Sequence, residues 1–573
     1  MSLKLDAAYG RLTIAGPDAA LANRLPGAFY NLKRGWYEAS LTLPTLRLLR
    51  QQMGLDRPSF ARLCTPVVLD WARAAAAEEM AIVRLHEQLE SGWRLDLPWA
   101  DTTGHPVTHH YRPPFEHQRI MASASCSLAG TPLLCGMGTG KTRVAIETIA
   151  YRRRHGLSHW TLIVCPKGVR GTWMREARMW QADGWTVESL MEMPVPDRIQ
   201  RIEAGEPGVY VVNYEVLGKM ERAIVRRAKE SPLDLVLDEA HLVRNPSAKM
   251  SKAARAIAEA AASRLLLTGT PILNGAENIW NQMYCTDLGV ALGANYVQFE
   301  RQYFRVGYND FGLVPLPGTL DTIAQVLNRR AIRYRKEDCL DLPPKLYETI
   351  TVILSPDQRR AYTEMKEELV TQLDAMGERA TASTQLVAMQ RLAQITSGFV
   401  KTTEGTIHRF DPNPKLDTLV RLVEEQIEQQ QILVWAWYKE DVSAIRGALA
   451  RFQPLVISGK ETPKERDHAE TEFQAGRCRV LILNPAVGRL GLNLFAASLA
   501  IYYSQTFDLD HRAQSEDRCH RAGSERHHAV TYIDLTAEHS IDEIIARNLD
   551  RKQDVATTVL DLRRHLAEPD PMA

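Results

Sequence analysis

A glycine-rich segment near residue 140 constrains the fold of this chain more than any other feature. It follows a short apolar run, residues 132–134, and leads into residues 143–149, whose apolar positions have helical spacing. A strand, a glycine-rich turn and a helix form the context of a phosphate-binding loop, in which backbone N–H groups and the helix N-terminus face a polyphosphate. The sequence therefore predicts a nucleotide site formed by Gly136, Met137, Gly138, Thr139, Gly140, Lys141 and Thr142.

Two of these residues supply the chemistry of such a loop. Lys141 is expected to reach the β- and γ-phosphates, and Thr142 is expected to hold Mg²⁺. The strict pattern has a glycine five positions before Gly140, where this chain has Cys135. Because a bare Gly-Lys-Thr also occurs in surface turns, the assignment depends on the motifs that accompany it.

Apolar runs downstream of the loop predict further buried strands of a parallel sheet, at residues 162–167, 209–214, 233–237 and 265–271. The third run ends in Asp238-Glu239-Ala240-His241. Carboxylates at the carboxyl end of a parallel strand lie where α/β sheets bind ligands. Asp238 is a candidate for the Mg²⁺ shell, and Glu239 can orient and deprotonate an attacking water. Upstream, the amide of Gln118 can both donate to and accept from an adenine edge.

A second set of strands is predicted at residues 432–437, 455–459 and 480–483, separated by helical patterns such as residues 463–473. Strands that alternate with helices imply a second parallel sheet. Residues 514–523 have a helical pattern that brings Gln514, Arg518 and Arg521 near one face. Guanidinium groups on that face can reach a γ-phosphate.

These motifs resemble the Swi/Snf-type branch of the superfamily 2 helicase-like ATPases, which are DEAH-box DNA translocases. The resemblance rests on residues 238–246, 268–274, 484–494 and 514–523. It implies an α/β fold of two RecA-like parallel-sheet lobes with helical insertions, and a DNA-dependent ATPase that uses ATP and Mg²⁺. Catalysis is assigned by this resemblance to Lys141, Asp238, Glu239, Arg518 and Arg521, with the arginines reaching the nucleotide when the cleft between the lobes closes.

The resemblance also assigns roles outside the catalytic set. It implies that His241, Thr268, Gly269 and Thr270 couple the nucleotide site to the DNA-binding surface. It also implies that DNA is contacted by Lys167, Asn213, Tyr214, Trp435, Gly488, Arg489 and Asn493. The chain departs from the family pattern at three positions. Ala486 stands where a basic residue is usual, Arg489 replaces a glycine, and Ser524 replaces a glutamine.

The segments around these motifs suggest a division into six parts. Residues 1–55 are predicted to form a small β-rich accessory unit with a hairpin and a helix capped by Thr42, and residues 56–105 a helical bridge and linker. The first lobe is assigned to residues 106–345, a helical insertion and linker to 346–414, the second lobe to 415–545 and a helical tail to 546–573. The hairpin aromatics with Lys33 and Arg34 either recognise DNA or, as we favour, are half-buried strand residues. The basic run at residues 329–336 either contacts DNA or the nucleotide or forms a solvated face.

Composition limits the alternatives. The net charge is +1, so any DNA-binding surface must be local. The eight cysteines include no Cys-x-x-Cys pair, which argues against zinc and favours a reducing compartment. No apolar run approaches the ~18 residues of a membrane span, and we expect a monomeric motor in the cytoplasm of a bacterium or a phage-infected cell.

Three functions remain open from the sequence. The first is an ATP-dependent double-stranded DNA translocase that remodels forks or branched DNA, as in the compact HARP-like and phage-encoded forms that the chain resembles. The second is a strand-separating DNA or RNA helicase. The third is a nucleotide-gated DNA-binding module without translocation, which would require neither Glu239 nor the arginine pair.

Overall fold

Parallel strands form two separate sheets in this computed structural model, one in each of two units, Met1–Cys339 and Leu340–Ala573. The structure describes residues 4–8, 11–16, 19–97, 114–180, 185–269, 275–306, 313–376, 382–401, 406–486, 492–506 and 508–550. The prediction of an α/β fold with two parallel-sheet lobes and a small β-rich N-terminal region is confirmed. Within these ranges no helix has the length and apolar character needed to cross a membrane.

The N-terminal part of the first unit is a four-stranded antiparallel sheet with the strand order β1-β2-β4-β3. Its elements are β1 (Lys4–Ala8), β2 (Arg11–Ala15), β3 (Phe29–Asn31), β4 (Trp36–Ser40), α1 (Leu43–Gln52), α2 (Arg57–Ala61) and α3 (Pro66–Glu90). The predicted hairpin is β3 and β4, and the Thr42 hydroxyl caps α1 by accepting the Thr45 N–H at 3.2 Å. The half-buried Trp36 indole donates to the buried Glu38 carboxylate, whereas Leu32 in the turn is 88% exposed.

This N-terminal sheet packs on the rest of the first unit. The Arg301 guanidinium lies 4.1 Å from the ring centre of Phe29, and a Cβ added to Gly27 would lie only 2.7 Å from the backbone of Gln302. A buried Arg330 joins α3 to the unit by pairing with Glu78 at 2.9 Å and with Asp287 at 3.4 Å. The accessory sheet therefore lies directly against the first parallel-sheet lobe.

Seven strands form the sheet of the first unit, in the order β13-β5-β10-β9-β6-β8-β7. The strands of this region are β5 (Gly130–Cys135), β6 (Trp160–Val164), β7 (Val187–Ser189), β8 (Gly208–Val212), β9 (Leu233–Asp238), β10 (Ser263–Thr268), β11 (Phe304–Val306), β12 (Leu313–Pro315) and β13 (Ile332–Tyr334), of which β11 and β12 form a separate antiparallel pair. The helices are α4 (Glu116–Ser127), α5 (Lys141–Arg154), α6 (Arg170–Trp180), α7 (Val195–Glu203), α8 (Leu217–Glu230), α9 (Lys249–Ala260), α10 (Ile279–Asp287), α11 (Tyr296–Tyr303), α12 (Thr319–Arg330) and α13 (Lys336–Cys339).

The central strands are apolar along their whole length because both faces of this sheet are covered. Leu162 and Val164 pack into one core with Leu235, whereas Ile163 and Val236 pack into a second core on the opposite face. Side chains alternate between the faces of a strand, so a strand buried on both faces appears as a continuous apolar run. The four strands predicted downstream of the glycine-rich loop are confirmed as β6, β8, β9 and β10.

The second unit contains a six-stranded parallel sheet with the order β14-β21-β20-β17-β19-β18. Its strands are β14 (Lys345–Val352), β15 (Phe399–Lys401), β16 (Ile407–Arg409), β17 (Ile432–Trp435), β18 (Leu455–Ile457), β19 (Val480–Leu483), β20 (Leu499–Tyr502) and β21 (Val530–Ala537), with β15 and β16 forming a separate pair. The helices are α14 (Pro356–Met376), α15 (Ala382–Ser397), α16 (Pro414–Gln426), α17 (Lys439–Ala448), α18 (Pro463–Gln474), α19 (Leu509–Cys519) and α20 (Ile541–Asp550).

The structure differs from the sequence-based expectation at two places near the junction of the units. The basic run at residues 329–336 includes β13, which pairs in parallel with β5, and its Arg330 is buried in ion pairs. The segment expected to be a helical insertion begins with β14, which pairs with β21 over its whole length before α14 and α15 follow. Beyond residue 550 the predicted tail lies outside the described ranges.

Candidate functional site

The glycine-rich segment is a tight turn between β5 and α5. Gly138 and Gly140 have φ angles of 80° and 86°, a region that disfavours residues with a Cβ. The Thr139 hydroxyl donates to the Gly136 carbonyl at 2.9 Å and closes the turn. Cys135 is the buried last residue of β5, without a positive φ, so this position does not require glycine.

Lys141 begins α5 and turns back toward the turn. Its ammonium donates to the Cys135 carbonyl at 2.7 Å and to the Gly136 carbonyl at 3.0 Å. This contact places a positive charge within the loop, beside the N-terminus of α5, and both features attract a phosphate. Thr142 follows in the first turn of the same helix.

Helix α4 supports the loop from behind. The Gln118 amide donates to the Thr139 carbonyl at 3.2 Å and accepts the Phe115 N–H at 3.2 Å. The His117 Nε2 atom lies 2.9 Å from the same Thr139 carbonyl, and burial lowers the pKa of this imidazole, which favours a neutral ring. Gln118 thus fixes the loop in this structure, and its contact with an adenine edge stays a prediction.

Two carboxylates lie two strands away at the same edge of the sheet. Strand β10 pairs with both β5 and β9, so the end of β9 at Asp238 is separated from the loop by one strand. Asp238 is buried, and burial together with the Glu239 carboxylate raises the pKa of Asp238 to about 7. A hydrogen bond from Trp173 and the charge of the nearby Lys141 ammonium act in the opposite direction and lower this pKa.

The next residue has an unusual backbone conformation. Glu239 has φ 52° and ψ 50°, the left-handed region that a residue with a Cβ adopts only at a cost. Strain of this kind concentrates at functional sites. The Glu239 carboxylate lies 3.2 Å from His241 Nδ1, so these two side chains form a pair beside Asp238.

Two residues that sequence reasoning did not assign to the site hold Asp238 in place. The buried Trp173 indole N–H of α6 donates to Asp238 Oδ2 at 2.8 Å, and the Tyr214 hydroxyl donates to the Asp238 carbonyl at 2.7 Å. No local pattern in the sequence indicates that the Trp173 indole N–H meets a carboxylate 65 positions away. Tyr214 had been predicted to contact DNA, whereas its hydroxyl is buried at this site.

The end of β10 completes this edge of the sheet. A Cβ added to Gly269 would lie 3.5 Å from the Met137 side chain and 3.7 Å from its backbone nitrogen, so Gly269 lies directly against the loop. Thr268 is buried as the last residue of the strand. Thr270 lies outside the described residues. The structure thus brings the loop together with Asp238, Glu239, His241 and Gly269.

In the second unit, α19 ends at Cys519 rather than at residue 523 as predicted. The chain turns there because Ser524 donates its N–H to the Arg521 carbonyl at 2.8 Å and Gly523 has a φ of 109°. Arg518 and Arg521 nevertheless lie side by side, since both donate to the Leu492 carbonyl, at 3.4 and 3.3 Å.

The two arginines differ in how tightly they are held. Arg518 is buried and also donates to the Gln514 carbonyl at 3.1 Å, whereas Arg521 is half-buried. Gln514 is buried as well, and its Oε1 atom accepts no hydrogen bond from the part of the chain that the structure describes.

The predicted DNA contacts have unequal exposure. Lys167 is exposed after β6, and Asn493 is half-buried, with its N–H donated to Glu470 at 2.9 Å. Asn213 and Trp435 are buried, Asn213 accepting a hydrogen bond from Arg198 at 3.0 Å and Trp435 packing on Tyr502, so neither offers side-chain surface to a DNA strand. Gly488 and Arg489 lie outside the described ranges.

Comparison with known proteins assigns most of the chain to two family models. Residues 116–398 match the SNF2-related domain, and residues 414–523 match the helicase conserved C-terminal domain. The two matches contain the loop, the carboxylates and the arginine pair.

Several curated proteins are similar over the same region. A SWI/SNF-related matrix-associated actin-dependent regulator of chromatin subfamily A-like protein 1 from Drosophila melanogaster is 24% identical over 446 residues, covering 75% of this chain and 54% of that protein. The DNA annealing helicase and endonuclease ZRANB3 of Mus musculus is 27% identical over 447 residues, covering 75% of this chain and 39% of that protein. The chain thus spans about half, or less, of the length of these relatives.

Among solved structures, the Sulfolobus solfataricus SWI2/SNF2 ATPase core in complex with double-stranded DNA is 20% identical. That match covers 79% of this chain and 96% of the other, with a TM-score of 0.37.

Proposed function

Because the chain belongs to the Swi/Snf-type branch of the helicase-like ATPases, we propose that it hydrolyses ATP in order to move along double-stranded DNA or to remodel it. The observation that supports this most directly is the convergence of the phosphate-type loop with Asp238 and Glu239 at one edge of the first sheet. The proposal extends to fork or branched DNA, a use suggested by the resemblance to compact HARP-like motors, and one relative is named a DNA annealing helicase.

Lys141 and the backbone N–H groups of the loop would bind the β- and γ-phosphates. Glu239 would orient the attacking water and accept its proton, while His241, 3.2 Å from this carboxylate, would link the base to neighbouring parts of the lobe. Trp173 and Tyr214 would act through Asp238, because both hydrogen-bond to that residue.

A Mg²⁺ ion fits the residues at this edge. Asp238 is a buried carboxylate whose pKa is raised to about 7 by burial and by Glu239, and a cation beside it would favour the ionised form. Thr142 and Asp238 would hold the ion, which would offset negative charge during phosphoryl transfer.

Arg518 and Arg521 would stabilise the charge that develops on the transferred phosphoryl group. Their shared hydrogen bonds to the Leu492 carbonyl support their action as a pair. Hydrolysis would then depend on the approach of the second unit to the nucleotide, and product release would allow the units to separate, which is a cycle suited to stepwise movement.

The proposal also includes the oligomeric state, the cellular location and the DNA contacts of the motor. We expect a monomer that works on DNA in the cytoplasm of a bacterium or a phage-infected cell. The eight free cysteines are compatible with such a reducing compartment. Lys167 and Asn493 are retained as DNA contacts, and affinity for duplex DNA should fall steeply with salt.

ATP turnover measured with and without duplex DNA tests the proposal. Duplex DNA should stimulate hydrolysis by the wild type, whereas Lys141→Ala and Glu239→Gln should abolish it and keep the melting temperature. Lys252→Ala, an exposed lysine of α9, is the matched control and should behave as wild type. Hydrolysis that does not respond to duplex DNA would refute the translocase proposal.

A second pair of assays separates the alternatives. Displacement of a third strand from a triplex without separation of the duplex strands supports translocation. Unwinding of the duplex itself would instead support a strand-separating helicase, and DNA binding gated by nucleotide without turnover would support a binding module.

A further inference from the structure

The segment that joins the two units begins beside the glycine-rich loop. Strand β13 pairs in parallel with β5, and the Tyr334 carbonyl accepts the Gly136 N–H at 2.9 Å. A Cβ added to Gly136 would lie 3.2 Å from the Lys336 nitrogen, so the chain leaving β13 packs directly on the loop. The first end of the junction is therefore attached to the loop itself.

The end of the same segment contacts α19 and the turn after it, which carry Arg518 and Arg521. The Pro343 carbonyl lies 2.8 Å from Nε2 of His520, a residue between Arg518 and Arg521 in the sequence. Two residues later, the Lys345 ammonium donates to Glu516 Oε2 at 2.8 Å, and the Tyr347 hydroxyl donates to the same oxygen at 2.8 Å. Glu516 and His520, two positions before and two positions after Arg518, are thus both bonded to the junction.

Glu516 has an electrostatic environment that keeps it charged. Burial alone would raise the pKa of this carboxyl, but Arg512 and Lys345 outweigh that effect and hold the pKa below its usual value. Arg512 donates to Oε1 at 2.7 Å, which leaves Oε2 for Lys345 and Tyr347. Charge-assisted hydrogen bonds of this kind are shorter and stronger than neutral ones, so the attachment of β14 to α19 is specific.

We propose that the junction formed by residues 334–347 is a positioning element, in which Lys345 and His520 hold the arginine pair in the orientation required for phosphoryl transfer. The proposal rests on the ATPase function proposed above.

Lys345 offers the cleanest test because its side chain is only partly buried and its loss should not prevent folding. Lys345→Met removes the ammonium and keeps most of the apolar stem. We expect kcat for ATP to fall by about tenfold or more, while KM for ATP changes less than about twofold, because the interaction acts in the transition state rather than in binding. Lys345→Arg should recover part of the lost turnover.

A matched control lies elsewhere in the same unit. Arg477 forms an ion pair with Glu472 at 2.7 Å on the surface, and Arg477→Met should leave kcat and KM as in the wild type. Melting temperatures of all variants are measured, so that a general loss of stability is distinguished from a local effect on turnover.

A double variant tests whether Lys345 acts through the arginines. If it does, Lys345→Met should slow the Arg521→Ala variant by a smaller factor than it slows the wild type, because only Arg518 is then left to be positioned. Multiplication of the two losses, or an equal change in KM and kcat for Lys345→Met, would overturn the positioning role. If the wild type hydrolyses ATP without a response to duplex DNA, only the translocase proposal fails, and the comparison of variants still decides this one; a wild type without any ATPase activity refutes both.

Discussion

Replacement of Arg521 by alanine should reduce ATP turnover strongly and leave both ATP binding and stability nearly unchanged. Arg521 is half-buried, and its one described hydrogen bond inside the unit is a long contact of 3.3 Å with the Leu492 carbonyl. Its guanidinium therefore contributes little to the fold and is available for another partner.

The expected magnitudes differ for the two arginines. An arginine that stabilises phosphoryl transfer contributes about 10³–10⁵ in rate, equivalent to roughly 4–7 kcal/mol of activation free energy. Loss of the long, partly buried hydrogen bond of Arg521 should lower the free energy of unfolding by about 1 kcal/mol. Arg518 is buried with hydrogen bonds to two carbonyls, so Arg518→Ala should also destabilise the protein, by about 3 kcal/mol.

Three kinds of measurement separate these effects. Single-turnover and steady-state ATPase assays give the turnover, binding of a fluorescent ATP analogue gives the nucleotide affinity, and urea denaturation gives the free energy of unfolding. Arg526→Ala is the control, because Arg526 also contacts a carbonyl of the same region, that of Phe495 at 3.4 Å, and is exposed. Unchanged turnover in Arg521→Ala, or a loss of nucleotide affinity as large as the loss of turnover, would refute the assignment of this residue to the transition state.

Three other changes have defined outcomes. Burial raises the pKa of Asp441 to about 7, although a hydrogen bond from Ser504 and the charge of Lys415 act in the opposite direction. The folded protein therefore binds this proton more tightly than the unfolded chain does. As a result, the free energy of unfolding should fall as the pH rises from about 4 to about 7. Asp441→Asn should remove up to about 4 kcal/mol of that fall in urea denaturation, and parallel pH curves of the two proteins would contradict this. Trp173→Phe removes the N–H donor to Asp238 and should reduce kcat/KM for ATP roughly 10- to 100-fold in steady-state assays, whereas wild-type values would show that this hydrogen bond is dispensable. Gly140→Ala should weaken binding of the ATP analogue, because the new Cβ would lie 2.1 Å from Gln118 Nε2, while Gly156→Ala, at a φ of 66° with no atom within 4 Å, controls for backbone strain alone.

The places of the glycine-rich turn and the acidic pair in the fold could be predicted because each depends on local order in the chain. A glycine-rich turn after a strand and an acidic pair after another strand both fall at carboxyl ends of a parallel sheet, whichever strands lie between them. The hydrogen bond from Trp173 to Asp238 could not be predicted, because it joins residues 65 positions apart and depends on the packing of α6 against β9. The ion pair of Lys345 with Glu516 spans 171 positions and depends on β14 pairing with β21.

The basic run at residues 329–336 illustrates how a charge pattern can conceal a strand. Ile332 and Tyr334 pack against the core on one face of the first sheet, while Arg333 lies between them and donates to Asn328 at 2.9 Å. Alternation of apolar and charged residues is typical of a strand with one exposed face, but three residues are too few for the period to be recognised among so many cations. The same segment contains β13, the edge strand next to β5 and the glycine-rich loop.

The departure at Cys135 follows from the same neighbourhood. Its thiol lies 3.4 Å from the Ile332 carbonyl of β13 and 3.5 Å from the Met121 sulfur of α4, and burial raises the pKa of this thiol. A side chain at this position therefore fills the space between the loop strand, the edge strand and α4. The residues that need glycine are Gly138 and Gly140, where φ is positive, and Gly140 also lies too close to Gln118 for a Cβ. The glycine-rich loop thus depends on the backbone freedom of Gly138 and Gly140, whereas the first position of the strict pattern holds a side chain that packs in the core.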